Sequence, residues 1–389
     1  MANDVFDIKQ HFRVQYSPTS GTWTNIVTDT YEISIDRGIA VEQGVFARPD
    51  VGTAEIRLMK TSLADMLNGP DYKSNMPIRI QFQLLPDTAP TAWSTLFYGL
   101  IQNVSMSYQV DTKKLAVTIT ANDFMKVFLN TSFSNYLINV SSQSLRSFIR
   151  CMDNLGTAVS ALDSRLSLTH AGSNSSSTTQ WNYTWATTTG GQLASTFLDA
   201  ELGWLYCPAG GGNLQYYTRG DVNDLQATTW STGNYTVSNV HSNDVTHFCM
   251  DNIDFVYDSD AIVNKVTVTE SYTSATSTAS NSTSITNYGT QSGQFEIQMD
   301  NTGLSTLGNW ASHVANAANP KLVKSVSVPA VRRDGVLSLL LTLDIADPLQ
   351  VEFASTGLTT MQEIHLITRM THNITAEHWE VNVGLWRGI

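Results

Sequence analysis

Apolar and polar positions alternate with a period of two along most of the chain, and Gly, Pro, Asn or Asp closes each run. "HFRVQYS" (11–17) and "YEISIDRG" (31–38) predict two half-buried strands joined through "PTSGTWTN". After Gly52, "TAEIRLMK" alternates again. Thr61 or Ser62 then caps a predicted short helix carrying Leu63, Met66 and Leu67. "MPIRIQFQL", "TLFYGLIQNVSMSYQ" and "KLAVTITAND" continue as antiparallel strands punctuated by turns.

The period changes near residue 131. "SSQSLRSFIRCMDNLG" puts Leu145, Phe148, Ile149, Met152 and Leu155 on one helical face, with a Ser cap and Gly156 as the expected stop. A second helix fits "GGQLASTFLDAELG" through Leu193, Phe197, Leu198 and Leu202, followed in "WLYCPAGGGNLQYYTR" by two strands around a Gly-rich hairpin. The stretch between the helices, "HAGSNSSSTTQWNYTWATTTG", reads as a polar loop. Strands return at "NIDFVYD" and "NKVTVTE". "SYTSATSTASNSTSITNYG" reads as an exposed low-complexity loop, and "LSTLGNWASHVANAANP" as a third helix with Leu307, Trp310, Ala311 and Val314 on one stripe.

The two β regions repeat one another. "MPIRIQF" and "DPLQVEF" share a Pro and an in-out pattern, so Ile78, Ile80 and Phe82 correspond to Leu349, Val351 and Phe353. Downstream, Ile101 and Val104 match Ile367 and Met370, and Leu115, Val117 and Ile119 match Trp379, Val381 and Val383. The connecting hairpins differ in length by two residues, which leaves every side chain on its own face. The expected organisation is therefore a first antiparallel β-barrel over 1–130, a mixed α/β domain over 131–245, and a second barrel over 246–389 interrupted by an insert at about 271–320. The fold class is mainly β with an α+β middle domain. The expected core of the two repeats is Ile78, Ile80, Phe82 and Val117, with Leu349, Val351, Phe353 and Val381 as their counterparts.

Composition supports a β-rich globular chain: of 389 residues, 42% are hydrophobic and only 14% charged, the polar surface being left to Ser, Thr and Asn. The net charge is −12, and paired bases occur only at Lys113-Lys114 and Arg332-Arg333, both at expected turns, which argues against gripping nucleic acid. Cys151, Cys207 and Cys249 cannot all pair and form no CxxC, as suits a reducing compartment. The N-terminal stretch lacks the pattern of a signal peptide, and no apolar run is long enough to span a membrane.

Nothing assembles into a catalytic motif. "PAGGGNL" opens no helix and reads as a turn rather than a phosphate cradle. His241, His247 and Cys249 fit no zinc spacing. His365 and His372 are separated by an odd number along one strand, so they are expected on opposite faces, and with His378 to be surface or interface groups. The acidic pairs Asp251/Asp254 and Asp258/Asp260 read as solvated. Trp181 and Trp185 have two readings, sugar stacking or a core anchor. No catalytic residue, cofactor or metal is expected.

The order of these features resembles the tail-tip hub, or minor tail, proteins of siphophages. The resemblance rests on "RGIAVEQGVFARPDVGTAEIRLMKTSLADMLNGPDYKSNMPIRIQF", "LFYGLIQNVSMSY", "LAVTITANDFMKVFLN", "QLASTFLDAELGWLYCPAGGGNLQYYTR", "IVNKVTVT", "DPLQVEF" and "THNITAEHWEVNVGL". It covers nearly the whole chain in order. It implies a fold similar to the hub of contractile tails: a homo-trimer whose duplicated barrels form a pseudo-hexameric ring. The implied place is the distal end of the virion's tail, after assembly in the host cytoplasm. The implied partners are the hexameric distal tail ring, the tape-measure protein and central tip or fibre proteins, and DNA only in transit through the lumen during genome ejection. The alternative is a distal tail ring or peripheral adsorption protein whose aromatic loop, 176–188, contacts host glycan. Many members continue into receptor-binding or peptidoglycan-cleaving regions. This sequence stops at Ile389, so neither activity is expected of it.

Overall fold

The computed structural model describes residues 11–19, 21–26, 30–42, 46–60, 70–83, 92–137, 147–175, 184–227, 235–239, 247–257, 262–299, 304–316, 321–329, 342–354, 361–376 and 378–387. The helix expected at 61–69 lies outside them, as do Trp181, His241, Asp258, Asp260 and the Arg332-Arg333 pair.

The first β region comprises β1 (Phe12–Thr19), β2 (Thr22–Asn25), β3 (Thr30–Glu42), β4 (Phe46–Pro49), β5 (Thr53–Lys60), β6 (Pro77–Phe82), β7 (Ser94–Gln109) and β8 (Lys114–Asp123), closed by helix α1 (Phe124–Asn130). The middle region holds β9 (Ser132–Leu137), α2 (Phe148–Leu162), β10 (Ser167–His170), β11 (Thr184–Thr189), α3 (Gly190–Glu201), β12 (Trp204–Tyr206), β13 (Asn213–Tyr217) and α4 (Arg219–Ala227). There follow β14 (Thr236–Ser238), β15 (His247–Cys249) and β16 (Asn252–Tyr257). An insert contains β17 (Lys265–Glu270), β18 (Thr276–Ser280), α5 (Ser282–Tyr288), β19 (Ser292–Ile297) and α6 (Leu304–Asn316). The chain closes with β20 (Lys321–Pro329), β21 (Pro348–Phe353), β22 (Met361–Thr375) and β23 (Trp379–Trp386).

The two β regions use the same chain path. The first runs β3-β5-β8-β7-β6 across the sheet and the second β16-β20-β23-β22-β21, all neighbours antiparallel. The match extends to irregularities. The β7–β8 ladder shifts register between Ile101 and Asn103, and the β22–β23 ladder between Ile367 and Arg369. Asn75 and Ala346 both enter their strands at positive φ, and each donates its amide to the Ile carbonyl at that shift, at 2.7 and 2.8 Å. Val117 lies opposite Met106 where Val381 lies opposite His372. The sixth strand differs: β1 joins β6 antiparallel, whereas β14 joins β21 parallel.

The protein is mainly β, but its described strands do not form two closed barrels. β3 and β22 pair with each other from Gly38·Arg369 to Glu32·Thr375, so both regions belong to one 15-stranded sheet. At 13 and 15 residues, these strands are long enough to serve their own region and the joint together. One hydrophobic core runs under both halves, a second fills the middle region around Phe148, Phe197 and Tyr216, and a third lies in the insert around Trp310.

Local differences from the sequence reading have local causes. Helix α2 starts at the Ser147 cap but passes through Gly156 to Leu162, because that glycine lets the helix lie against Leu168. The Ser/Thr stretch is built structure rather than a loop. Thr276 and Thr278 meet Thr269 and Thr267 across the β17–β18 pair, each at 3.3 Å, and Asn281 caps α5. The buried Glu270 carboxylate accepts the Tyr272 and Thr273 amides, which fixes the turn.

Ile78, Ile80, Phe82, Val117, Leu349, Val351 and Val381 are buried, while Phe353 is only half-buried. The reason lies beyond each ring. Phe82 is packed by Phe12 and by Trp379 of the other half, both at 5.0 Å, whereas Phe353 has the exposed Phe255 at 5.8 Å. Phe82→Ala is therefore expected to lower the unfolding free energy by about 3–5 kcal/mol. Phe353→Ala should cost only about 1–2 kcal/mol in the isolated chain. Denaturant unfolding of both variants checks this, and equal losses would contradict the difference in packing.

Candidate functional site

The place where the chain's three regions meet is the joint between β3 and β22. Ile33, Ile35, Met370, His372 and Ile374 turn inward there and are buried. Gly38 is required by close approach: a Cβ on it would stand 2.4 Å from the Thr368 carbonyl oxygen at the β22 bulge. On the outer face the Arg369 guanidinium forks onto the Asp36 carboxylate, which also accepts from the Thr371 hydroxyl at 3.0 Å.

Arg37, only 3% exposed, points the other way. Its Nη1 donates to Asp344 Oδ1 at 2.9 Å, 307 residues along the chain, and reaches the Cys207 carbonyl of the middle region at 3.5 Å. The other Asp344 oxygen accepts the Ala209 amide at 3.1 Å. One ion pair therefore ties the first half, the second half and the β12–β13 hairpin together. Trp204 adds an edge contact to Trp386 at 5.3 Å across the same junction. A second anchor holds the insert. Arg48 on β4 pairs with Asp199 of α3, Phe46 packs on Phe295 and Trp310, and the Trp310 indole donates to the Asp199 carbonyl at 3.0 Å.

Burial raises the Asp123 carboxyl to about 7, outweighing the amides of Gly52 and Met125 that favour its charged form. Asp347, beside Asp344, is likewise raised to about 6 by burial. His365 and His372 are both buried and held neutral, pushed down to about 4 and about 3 by desolvation. They share the inward face because the bulge at Thr368 turns the alternation over between them, contrary to the odd-spacing argument. His378 is exposed in the β22–β23 turn.

The described residues hold no cluster of His, Cys, Asp or Glu placed to bind a metal ion. Cys151 and Cys207 are buried with thiols pushed up by desolvation, and none of the three cysteines is in a disulfide. Asp254 accepts from the Ser325 hydroxyl at 3.1 Å. Trp185 faces inward, 6.3 Å from Tyr136 and 6.1 Å from Phe197. Among the described residues, no helix is long and apolar enough to cross a membrane.

Sequence reasoning passed over one built polar group, His170 with Asp221. His170 Nε2 lies 2.8 Å from Asp221 Oδ2 and its ring stacks on Tyr216. Burial would raise the Asp221 carboxyl, but amide donation from Asn174, with bonds from Thr218 and His170, holds it down at about 2. The carboxylate also accepts the Ser173 amide, so it is saturated and serves to fasten the 170–175 turn to α4. Its signal was present as Thr218-x-x-Asp221, a reciprocal helix cap.

No family model matches the chain, and no curated protein matches it by sequence. Solved structures do match. A tail protein from Neisseria meningitidis MC58 covers 96% of this chain and 95% of its own length, with a TM-score of 0.60 at 11% identity. The 43 kDa tail protein of prophage MuSo2 from Shewanella oneidensis covers 97% and 96%, with a TM-score of 0.54 at 12% identity. A Francisella PdpA–VgrG complex chain is covered over 53% of its length by 98% of this one, with a TM-score of 0.51 at 9% identity. The chain has the fold of phage tail proteins from end to end.

The raised Asp123 carboxyl gives a signed pH dependence. The folded group holds its proton to about 7 and the unfolded one only to 3.8, so its contribution is full below 3.8 and is lost as pH rises to about 7. Relative to Asp123→Asn, the parent chain should lose about 2–4 kcal/mol between pH 4 and 7, and nothing more above 7. Chemical unfolding across that range checks it. A difference that stays constant with pH would contradict the burial argument.

Proposed function

We propose that the chain is a structural phage tail protein acting as the tail-tip hub. The observation that carries the reading is the end-to-end fold match to the two tail proteins, each covered over at least 95% of its length. The internal repeat supports the hub reading in particular. Three copies of a chain with two like halves present six similar units, which suits a seat on a hexameric distal tail ring. In this reading the trimer links that ring to central tip or fibre proteins, closes the lumen before infection, contacts the end of the tape-measure protein, and lets DNA pass during ejection. It sits at the distal end of a siphophage tail after assembly in the host cytoplasm.

The reading includes no catalytic step, cofactor or resident metal. The buried carboxylates and histidines described above act by fixing geometry. The net charge of −12 suits a wall past which a polyanion must slide. The alternative of a peripheral glycan binder draws nothing from Trp185, whose ring is spent on the core of the middle region.

Antibody raised against the insert, carried on gold, is expected to mark the tail end of particles. The assembly released from tails should contain three copies of the 42.7 kDa chain. Six copies would favour the distal ring instead, and particles whose tails carry no label would refute a tail role.

A further inference from the structure

Most arginines discussed so far hold a carboxylate, and others do the same. Arg48 pairs with Asp199, Arg57 with Glu32, Arg165 with Asp163 and Arg369 with Asp36. Two on the outer face of the first β region do not. Arg13 of β1 and Arg79 of β6 are half-buried, and among the described residues neither has an acidic partner. Desolvation lowers both guanidinium groups from their ordinary value, and Arg79 lowers Arg13 further. Two like charges therefore stand near one another with nothing to offset them, on a chain whose net charge is −12.

Both groups are held in place. The Arg13 guanidinium lies over the Trp93 ring, its central carbon 4.2 Å from the ring centre, and that of Arg79 lies over Trp23 at 4.1 Å. Across the β1–β6 ladder Arg13 is opposite Gln81 and Arg79 opposite Gln15, a checkerboard of two arginines and two glutamines. Each arginine donates its Nε to the glutamine across from it, at 2.8 Å in both cases. Gln81 in turn donates to the Thr95 hydroxyl at 3.0 Å, and Gln15 to the Asn25 side chain at 2.6 Å, which fixes the direction of each amide. A Trp ring thus holds one face of each guanidinium and a glutamine its Nε edge. The Nη1 and Nη2 ends have no partner among the described residues.

A guanidinium fork presented end-on takes the two oxygens of one carboxylate or phosphate. Three observations choose between these ligands. Diagonal positions on a strand pair, as Arg13 and Arg79 are, lie about 7–8 Å apart. Alternate side chains on one side of an extended peptide lie about 6.5–7 Å apart, which matches. A long polyanion such as a nucleic acid or a phosphate polymer meets the repulsion of the remaining chain, whereas a short acidic segment need touch only these two residues. The Trp rings offer little to bases or sugars, because each has a face covered by arginine and Trp23 also meets the Tyr98 ring at 5.8 Å. We propose that Arg13 and Arg79 form a docking site for an extended acidic segment of another protein, with carboxylates at alternate positions, one to each fork. The site does not depend on the hub reading, since its geometry belongs to β1 and β6 of the single chain.

Binding of synthetic peptides to the purified full chain tests it. The probe is a fluorescent acetyl-Thr-Glu-Thr-Glu-Thr-amide, followed by anisotropy at low salt. The expected result is saturable binding with a Kd of about 10–100 µM, weakened about tenfold or more by Arg13→Gln or by Arg79→Gln. A probe with its two glutamates adjacent sends them to opposite sides of an extended chain and should bind about tenfold more weakly. Arg13→Lys and Arg79→Lys keep the charge and lose the fork, so each should also weaken binding, by about fivefold, at an unchanged unfolding midpoint. These lysine variants decide the matter if a glutamine variant fails to fold. A parent chain that does not bind the alternating probe, or binds the adjacent one equally well, overturns the proposal. So does binding that survives loss of both forks. Inorganic phosphate or polyphosphate that displaces the probe at lower concentration than the unlabelled peptide overturns it in favour of a phosphate ligand. Probe binding by a chain that never labels tails would sink the hub reading and leave the acidic-segment site standing.

Discussion

Pairing of β3 with β22 is the constraint on which the rest of the structure depends. Each strand already has a partner within its own half, so the joint turns two repeats into one sheet and one core. It sets the demands on individual residues. Gly38 has to lack a side chain beside the β22 bulge, His372 has to stay neutral behind it, and Trp379 is free to cover Phe82 across the boundary. Arg37, one residue before that glycine, then has the position from which a single guanidinium holds both halves and the middle region.

Three carboxylates of the protein are tied off within the fold: Asp221 by amides and His170, Glu270 by its own turn, Asp344 by Arg37 and Ala209. A carboxylate saturated by backbone donors holds a turn rigidly. The insert and middle region are fastened to the sheet by aromatic packing around Phe46, Trp204 and Trp310. The fold held in this way is the one shared with the two tail proteins.

Much of the fold was legible in the sequence because a period of two survives wherever one face is buried. The strands of both repeats, the helix stripe at Leu307, Trp310 and Val314, and the correspondence of Val117 with Val381 all follow from that pattern. The failures share a cause: information from another part of the chain. A bulge at Thr368 adds one residue to the alternation, so the faces of His365 and His372 could not be counted off. Phe353 has the pattern of Phe82 but not its neighbours. The joint itself was hidden, since nothing local links Arg37 to a carboxylate 307 residues away. The Ser/Thr stretch misled for the opposite reason: a composition typical of loops also supplies the cross-strand threonines and the Asn cap that order it.

Site-resolved hydrogen exchange of the purified chain tests the joint most directly. If the halves are one cooperative unit, amides of Ile33, Ile35, Met370, His372 and Ile374 should exchange as slowly as those at the centres of β5 and β23, through global unfolding alone. Exchange at the joint by an opening that leaves either half protected would contradict the account, because it would make the halves separate domains that merely touch.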